Sequence, residues 1–287
     1  MHYLFILLYK VYFPVLDQIG FFLKKTDKIG YMADLDASKN CVTINDAAEH
    51  WAPLKAFVHN GKIDLGDPAS LLEYNRAILH KLTGFTIDVP VGNLIPSICL
   101  RATYIRAIAE FTTGVKRVVD IGTGATAIIA LFAAHAGYEV TATEIDPMSL
   151  EYAKRNAEKN HLDIQFLLSK GSILTGVLPE GEKGRIDLCM TYPPFYPNDK
   201  PGFTSKKKRG FGGTDSELFG GTSGIEFSDR YVEECALFRV KYCTLMVHKQ
   251  IYSEQIQEKL LNFGYSPKVV KILAGRRSRY LLIGILS

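Results

Sequence analysis

Two short strings in this 287-residue chain carry residue types that could do chemistry. The first is Val118-Val119-Asp120-Ile121-Gly122-Thr123-Gly124, an apolar run passing straight into a glycine turn. Glycines at 122 and 124 let the backbone approach a ligand closely and adopt positive φ. A helix starting behind them presents unpaired N–H groups. Glu144 ends the next apolar run, where a carboxylate can accept hydrogen bonds from both hydroxyls of a ribose. A dinucleotide site asks for G-x-G-x-x-G, and here Ala127 takes the last place, which that pattern tolerates. A P-loop is excluded, because no Gly-Lys-Ser/Thr follows. A glycine turn serving compactness alone stays open at this point. The second string is Thr191-Tyr192-Pro193-Pro194-Phe195. Two prolines at a strand end cannot donate ladder hydrogen bonds, so they fix a rigid bend with free carbonyls. Phe195, directly after them, is set to stack on a flat substrate, and Tyr192 offers a phenol oxygen as an acceptor.

These strings need a scaffold, and the pattern from residue 116 onward supplies one. Lys116–Ile121 reads as a buried strand, followed by the glycine turn and an Ala-rich helix to about Ala136. Tyr138–Glu144 is the next strand, and Asp146–Asn160 a helix opened by Asp146 and Pro147. Strands Ile164–Leu168 and Ile186–Thr191, helix Phe227–Leu237, strand Tyr242–His248 and helix Ser253–Phe263 continue the alternation. Two closing strands, Lys268–Leu273 and Tyr280–Leu286, form an antiparallel hairpin expected at one edge. Repeated β-α-β units imply an α/β, doubly wound sheet covered on both faces. In open sheets of this kind ligands sit beyond the carboxyl ends of the strands, where strand order reverses. Residues 45–110 read as a small, Pro-punctuated helical cap, and 111–287 as the main domain with a basic Gly/Lys-rich loop at 200–224.

The composition is that of a folded chain: 47% hydrophobic and 22% charged, which excludes a disordered, collagenous or coiled-coil protein. A net charge of +4 only permits a polyanionic partner, so the placement of charge matters more than its sum. Cysteines at 41, 99, 189, 235 and 243 lack CxxC or CxxH spacing. That argues against a disulfide framework and a zinc site, and points to a reducing, cytoplasmic setting. Residues 1–44 read as an N-terminal extension, in part an upstream segment before an alternative start at Met32. Its apolar stretch to Leu23 is interrupted by Lys10, Pro14 and Asp17, so no stable membrane association is expected.

Asp120-x-Gly122-x-Gly124 with Glu144-Ile145-Asp146 resembles motifs I and II of the class I (Rossmann-like) S-adenosylmethionine-dependent methyltransferases. The diproline string resembles the [DNS]-P-P-[FYW] motif of those acting on amino groups conjugated to a planar ring. A second set of residues narrows the resemblance. Ile87-Asp88-Val89-Pro90, Leu94-Ile95-Pro96 and Leu100-Arg101-Ala102-Thr103-Tyr104-Ile105, with Asn60-Gly61-Lys62 and Asp67-Pro68, look like the RNA adenine-N6 methyltransferase family. Gly220-Gly221, Glu226-Phe227, Lys249 and Gly275-Arg276 extend it from about residue 48 to the C-terminus. That family includes the bacterial large-subunit ribosomal RNA enzyme and the eukaryotic methyltransferase of a spliceosomal small nuclear RNA. The resemblance implies S-adenosylmethionine as cofactor, an RNA substrate with ribosomal RNA foremost, and no metal. In its terms Asp120, Gly122, Thr123 and Gly124 form the cofactor loop and Glu144 holds the ribose. Arg101 pairs with the methionine carboxylate, and Ser172 lies near the cofactor's adenine or caps a helix. Tyr192, Pro193, Pro194 and Phe195 form the catalytic loop, with Tyr192 on the position of the family's catalytic Asn. A phenol oxygen lies further from the backbone than an Asn oxygen, so this position departs from the family's means of activating an amine.

Two basic clusters are candidates for RNA phosphates: Lys206, Lys207, Lys208 and Arg209, flanked by Phe203 and Phe211, and Arg276, Arg277 and Arg279 at the final hairpin. The target base must be single-stranded or flipped, because an amine inside a stacked duplex is out of reach. Two rival readings remain: methylation of a protein glutamine amide, and an RNA-binding protein that keeps the cofactor pocket without turnover.

Overall fold

The structure is a computed structural model that describes residues 31–198 and 212–286. The expectations for residues 1–30 and the Lys206–Arg209 cluster therefore lie outside the described residues. Eight strands form one sheet: β1 (Tyr31–Asp36), β2 (Arg117–Ile121), β3 (Glu139–Glu144), β4 (Ile164–Leu168), β5 (Leu188–Thr191), β6 (Tyr242–Val247), β7 (Tyr265–Ala274) and β8 (Arg277–Leu286). Their spatial order is β1-β7-β8-β6-β5-β2-β3-β4, and β8 alone runs antiparallel to its neighbours β6 and β7. From β2 the chain first winds outward through β3 and β4, then crosses to β5 on the other side. The strand order thus reverses between β2 and β5, the place where an open α/β sheet leaves a crevice.

The helices are α1 (Ile44–His50), α2 (Pro68–Thr83), α3 (Ile98–Phe111), α4 (Ile128–His135), α5 (Pro147–Lys159), α6 (Glu226–Leu237) and α7 (Gln250–Asn262). Proline at the first helical position and an aspartate before it start both α2 and α5. Asp67 accepts from the Ser70 N–H, and Asp146 from those of Met148 and Ser149. Alternate residues of the strands face opposite layers. Val118, Val140, Leu188 and Met190 pack under α3 and α4, whereas Val119, Ile121, Cys189 and Leu245 pack under α6 and α7. Both faces of the sheet are therefore covered, as the near-continuous apolar runs require.

Two expectations are corrected. The closing hairpin is not the edge of the sheet: β8 inserts between β7 and β6, and β1 from the N-terminal extension covers β7 in parallel register. An uncovered β7 would present a row of unpaired N–H and C=O groups, and the six-residue β1 removes it. The hairpin turn is also tighter than expected, Gly275-Arg276 alone. Second, the cysteines do include a pair. Cys41 and Cys99 form a disulfide, with Cα atoms 5.4 Å apart, that ties the segment after β1 to the first turn of α3. Spacing along the chain carries no signal for a bridge across 58 residues, and the argument for a reducing setting loses this support. Cys189, Cys235 and Cys243 are free and buried. Among the described residues no helix is long and apolar enough to cross a membrane.

Candidate active site

The glycine loop leaves β2 at Ile121 and enters α4 at Ile128. Gly122 (φ +68°) and Gly124 (φ +66°) both adopt the left-handed conformation, and a Cβ built at Gly122 meets nothing within 4 Å. The backbone there is bare toward a cleft of about 300 Å³ lined by residues of β2, β3, β5 and the loops beyond them. Ala127 also takes positive φ, 50°, while fully buried, so the third glycine position is filled at a conformational cost. Asp120 is 1% exposed and accepts the Thr123 hydroxyl at 2.7 Å. Burial pushes its carboxyl up to about 7 despite that bond, with nearby Glu144 adding to the rise.

Glu144 ends β3 and closes the loop. Its carboxylate accepts the Gly124 N–H at 2.8 Å, the Ile145 N–H at 2.8 Å and the Asp146 N–H at 3.1 Å. A carboxylate has about four acceptor sites, so one remains for a ligand hydroxyl. Burial raises its pKa, opposed by those three backbone donors.

Arg101 and Tyr104 lie one turn apart on the same face of α3. Tyr104 is fully buried. Its hydroxyl lies 2.9 Å from the Thr244 carbonyl and 3.3 Å from the Thr191 carbonyl, and it accepts the Thr191 N–H at 3.2 Å. Thr191 in turn donates to the Ile121 carbonyl at 2.9 Å, which locks the ends of β5 and β2 together. With Tyr104 pinned to the sheet, Arg101 reaches the ring of Tyr192, its guanidinium carbon 4.1 Å above the centroid. Arg101 is 9% exposed, and no salt bridge among the described residues includes it, although the Asp120 carboxylate is near enough to favour its charge. Burial lowers its pKa, and the cation remains a receptor for an anionic group within the cleft.

The Tyr192 hydroxyl accepts from Arg279 Nε at 3.3 Å. Arg279 thus belongs to the interior of the site, while Arg276 and Arg277 at the hairpin turn are exposed. Pro193 is buried, and Pro194 lines the cleft. Phe195 stands outside that lining, its ring stacked on His248 at 4.0 Å and tilted against Tyr196 at 4.6 Å. The bend is held by the segment after the single helical turn Asp215–Leu218. The N–H groups of Phe195 and Tyr196 donate to the Leu218 carbonyl, and the Gly220 N–H donates to the Tyr196 carbonyl. Ser172 lines the same cleft, but no helix begins there, so its capping reading is corrected. The N–H groups of Ile173, Leu174 and Thr175 are taken by the Glu234 carboxylate of α6 instead.

Three residues of the site were not singled out in the sequence. Asn156, fully buried on α5, bonds the Ala125 carbonyl at 3.0 Å and both backbone groups of Asp88, joining the glycine loop to the cap. Glu217 accepts from the Leu94 N–H at 3.0 Å and the Thr214 N–H at 2.8 Å, and it too lines the cleft. His248, directly after β6, meets Phe195. The Thr214-x-x-Glu217 spacing is a capping-box signal legible in advance; a lone Asn or His gives none.

The arrangement brings together a bare glycine loop, an acidic strand end, a buried cation and a rigid diproline bend at one reversal of strand order. It suits a nucleoside-bearing donor with a carboxylate at its other end, held beside a planar acceptor.

Comparison with known proteins agrees. The RNA methyltransferase family matches residues 54–283. A putative methyltransferase of Methanocaldococcus jannaschii is 36% identical over 255 residues, covering 84% of this chain and 97% of that protein. Ribosomal RNA large subunit methyltransferase F of Pseudomonas putida is 34% identical over 151 residues, 47% of either chain. The crystal structure of the human METTL16 catalytic domain in complex with a MAT2A 3′UTR hairpin superposes with a TM-score of 0.75 at 26% identity, covering 86% of this chain and 92% of that one. This chain spans 47% of the length of the Pseudomonas enzyme and 28% of mouse METTL16.

Proposed function

From the premise that this chain belongs to the RNA methyltransferase family, we propose that it transfers a methyl group from S-adenosylmethionine to the exocyclic amine of an adenine in a structured RNA, with ribosomal RNA as the expected substrate. The observation that carries this reading is the buried Arg101 guanidinium, which makes no salt bridge among the described residues and lines the cleft between the glycine loop and the diproline bend. A buried cation is costly, nearby Asp120 and the Tyr192 ring offset only part of that cost, and a donor carboxylate would neutralise it.

The residues fit that donor. Arg101 receives its carboxylate, Gly122 and Gly124 give it room, and the remaining acceptor site of Glu144 takes a ribose hydroxyl. Ser172, which also lines the cleft, would contact the adenine. The donor, when bound, supplies a methyl group on a cationic sulfur. The protein's part would be alignment, with the Pro193-Pro194 bend supplying a rigid wall against which the target amine would be held beside the donor. Arg276 and Arg277 at the hairpin turn, with Lys206–Arg209, would contact RNA phosphates.

The test is transfer from labelled S-adenosylmethionine to total RNA and total protein in parallel. Label in RNA recovered as N6-methyladenosine supports the reading; label only in protein refutes the substrate. A second reading, an RNA-binding protein that keeps the donor pocket without turnover, draws on Tyr192, whose hydroxyl is engaged by Arg279 and whose ring carries Arg101. Donor binding with no label in any macromolecule would select it.

A further inference from the structure

Glu144 can serve only part of a ribose. The N–H groups of Gly124, Ile145 and Asp146 occupy all but one of its roughly four acceptor sites, whereas a ribose brings a pair of hydroxyl donors. A second acceptor is needed at the same end of the cleft, and Glu217 stands there.

Glu217 belongs to the single helical turn Asp215–Leu218, is half-buried, and lines the cleft together with its neighbours Ser216 and Phe219. Its two oxygens have different surroundings. Oε2 accepts from the Leu94 N–H at 3.0 Å, the Thr214 N–H at 2.8 Å and the Thr214 hydroxyl at 3.2 Å, which clips this wall to the cap. Oε1 has a single long contact among the described residues, to the Asn93 side-chain amide at 3.4 Å, so it keeps acceptor capacity. It lies 3.8 Å from where a Cβ on Gly124 would stand, and so faces the glycine loop. The N–H of that same Gly124 is held by Glu144, so the two carboxylates meet at one residue. Burial raises the Glu144 pKa, and the nearby charge of Glu217 adds to the rise. Two like charges drawn together beside a cleft are costly, and hydroxyl donors offered to both lower that cost.

We propose that Glu217 is a donor-binding residue, its Oε1 accepting one hydroxyl of the donor's ribose while the free site of Glu144 accepts the other. The proposal rests on the reading that S-adenosylmethionine is the donor. The two acids together make the pocket specific for an intact ribose, since loss of either hydroxyl leaves one carboxylate acceptor unmatched. The same wall holds the diproline bend, because the Leu218 carbonyl takes the N–H groups of Phe195 and Tyr196.

Titration calorimetry on the full-length protein compares S-adenosylhomocysteine with its 2′-deoxy and 3′-deoxy analogues, for wild type and Glu217→Gln. In the variant the amide oxygen still serves the Leu94 and Thr214 donors, so the amide nitrogen replaces Oε1 toward the cleft. Wild type should lose about 10- to 150-fold in affinity on each deoxy analogue. Glu217→Gln should lose about tenfold or more for S-adenosylhomocysteine and for one analogue. It should bind the other analogue within about twofold of wild type, because the hydroxyl that Glu217 receives is already missing there. A variant that binds S-adenosylhomocysteine as well as wild type does, or that weakens all three ligands equally as a merely structural clip would, overturns the proposal. So does a wild type that binds either deoxy analogue within about twofold of S-adenosylhomocysteine. A wild type that binds no S-adenosylhomocysteine at all overturns the parent reading as well, which separates the two failures.

Discussion

Gly220 offers the sharpest test of how the diproline bend is held. A Cβ built there lies 2.4 Å from the Pro194 carbonyl oxygen, 2.9 Å from the Gly224 carbonyl oxygen and 3.0 Å from the Pro194 carbonyl carbon. All three are backbone atoms, so no side-chain rotation relieves the contact. Ordinary contact begins near 3.4 Å, and the bend must therefore retreat by about 1.0 Å to admit the methyl. Overpacking of this kind costs about 1–3 kcal/mol. At about 2–4 °C per kcal/mol for a chain of this size, Gly220→Ala should lower Tm by about 2–12 °C. The larger effect falls on turnover, since a displacement of about 1 Å between aligned reactants costs on the order of 100-fold. Gly220 does not line the cleft, so affinity for S-adenosylhomocysteine by titration calorimetry should hold within about twofold. Gly181→Ala is the control, because a Cβ there meets nothing within 4 Å and no left-handed φ is involved. If Gly220→Ala melted like Gly181→Ala and transferred methyl at the wild-type rate, the packing argument for the bend would be refuted.

Arg101→Met should weaken S-adenosylhomocysteine binding by about 10- to 150-fold, the equivalent of losing about 1.5–3 kcal/mol of charge-assisted bonding. The apo Tm should hold or rise, since a buried guanidinium with no salt bridge among the described residues is removed; unchanged affinity would sink the anion-receptor role. Asp120 has a folded pKa raised from 3.8 to about 7, so the folded state holds a proton that the unfolded chain has lost. Its contribution to stability is full below about pH 4 and is lost as pH rises through about 7. Asp120→Asn should therefore flatten the fall of Tm between those values, and an unaltered slope would show that another group is responsible. Denatured, unreduced protein should titrate three thiols, those of Cys189, Cys235 and Cys243, and five would refute the bridge. Cys41→Ser should cost up to about 4 kcal/mol on the chain-entropy account of a loop of this length, read as a lower Tm.

Much of the site was legible in the chain itself, and for definite reasons. Gly122 and Gly124 mark a turn because only glycine enters the left-handed region without cost, and Asp146-Pro147 marks a helix start because its donors need a cap. The apolar runs at 117–121, 139–144, 164–168 and 188–191 are strands in the structure, buried runs whose length allows little else. The string containing Arg101 and Tyr104 was visible only as a resemblance. Its physical reason, a helix pinned by one residue so that the next turn back can reach Tyr192, came from the fold.

What could not be read was everything that depends on which distant segments meet. Residues 31–36 become an edge strand because β7 needs a partner, a need that no local pattern in those residues announces. Cys41 finds Cys99, and Asn156 finds Asp88 and Ala125, across separations that leave no periodic trace. The amino-acid order determined the strands, the turn chemistry and the candidate residues, because backbone geometry, apolar periodicity and capping are local. Tertiary structure alone decided that Arg279 bonds the hydroxyl of Tyr192 and that His248 lies against Phe195 with a nitrogen unpaired among the described residues. Hydrogen bonding and desolvation are set by neighbours in space, and those neighbours exist only once the sheet has closed its order.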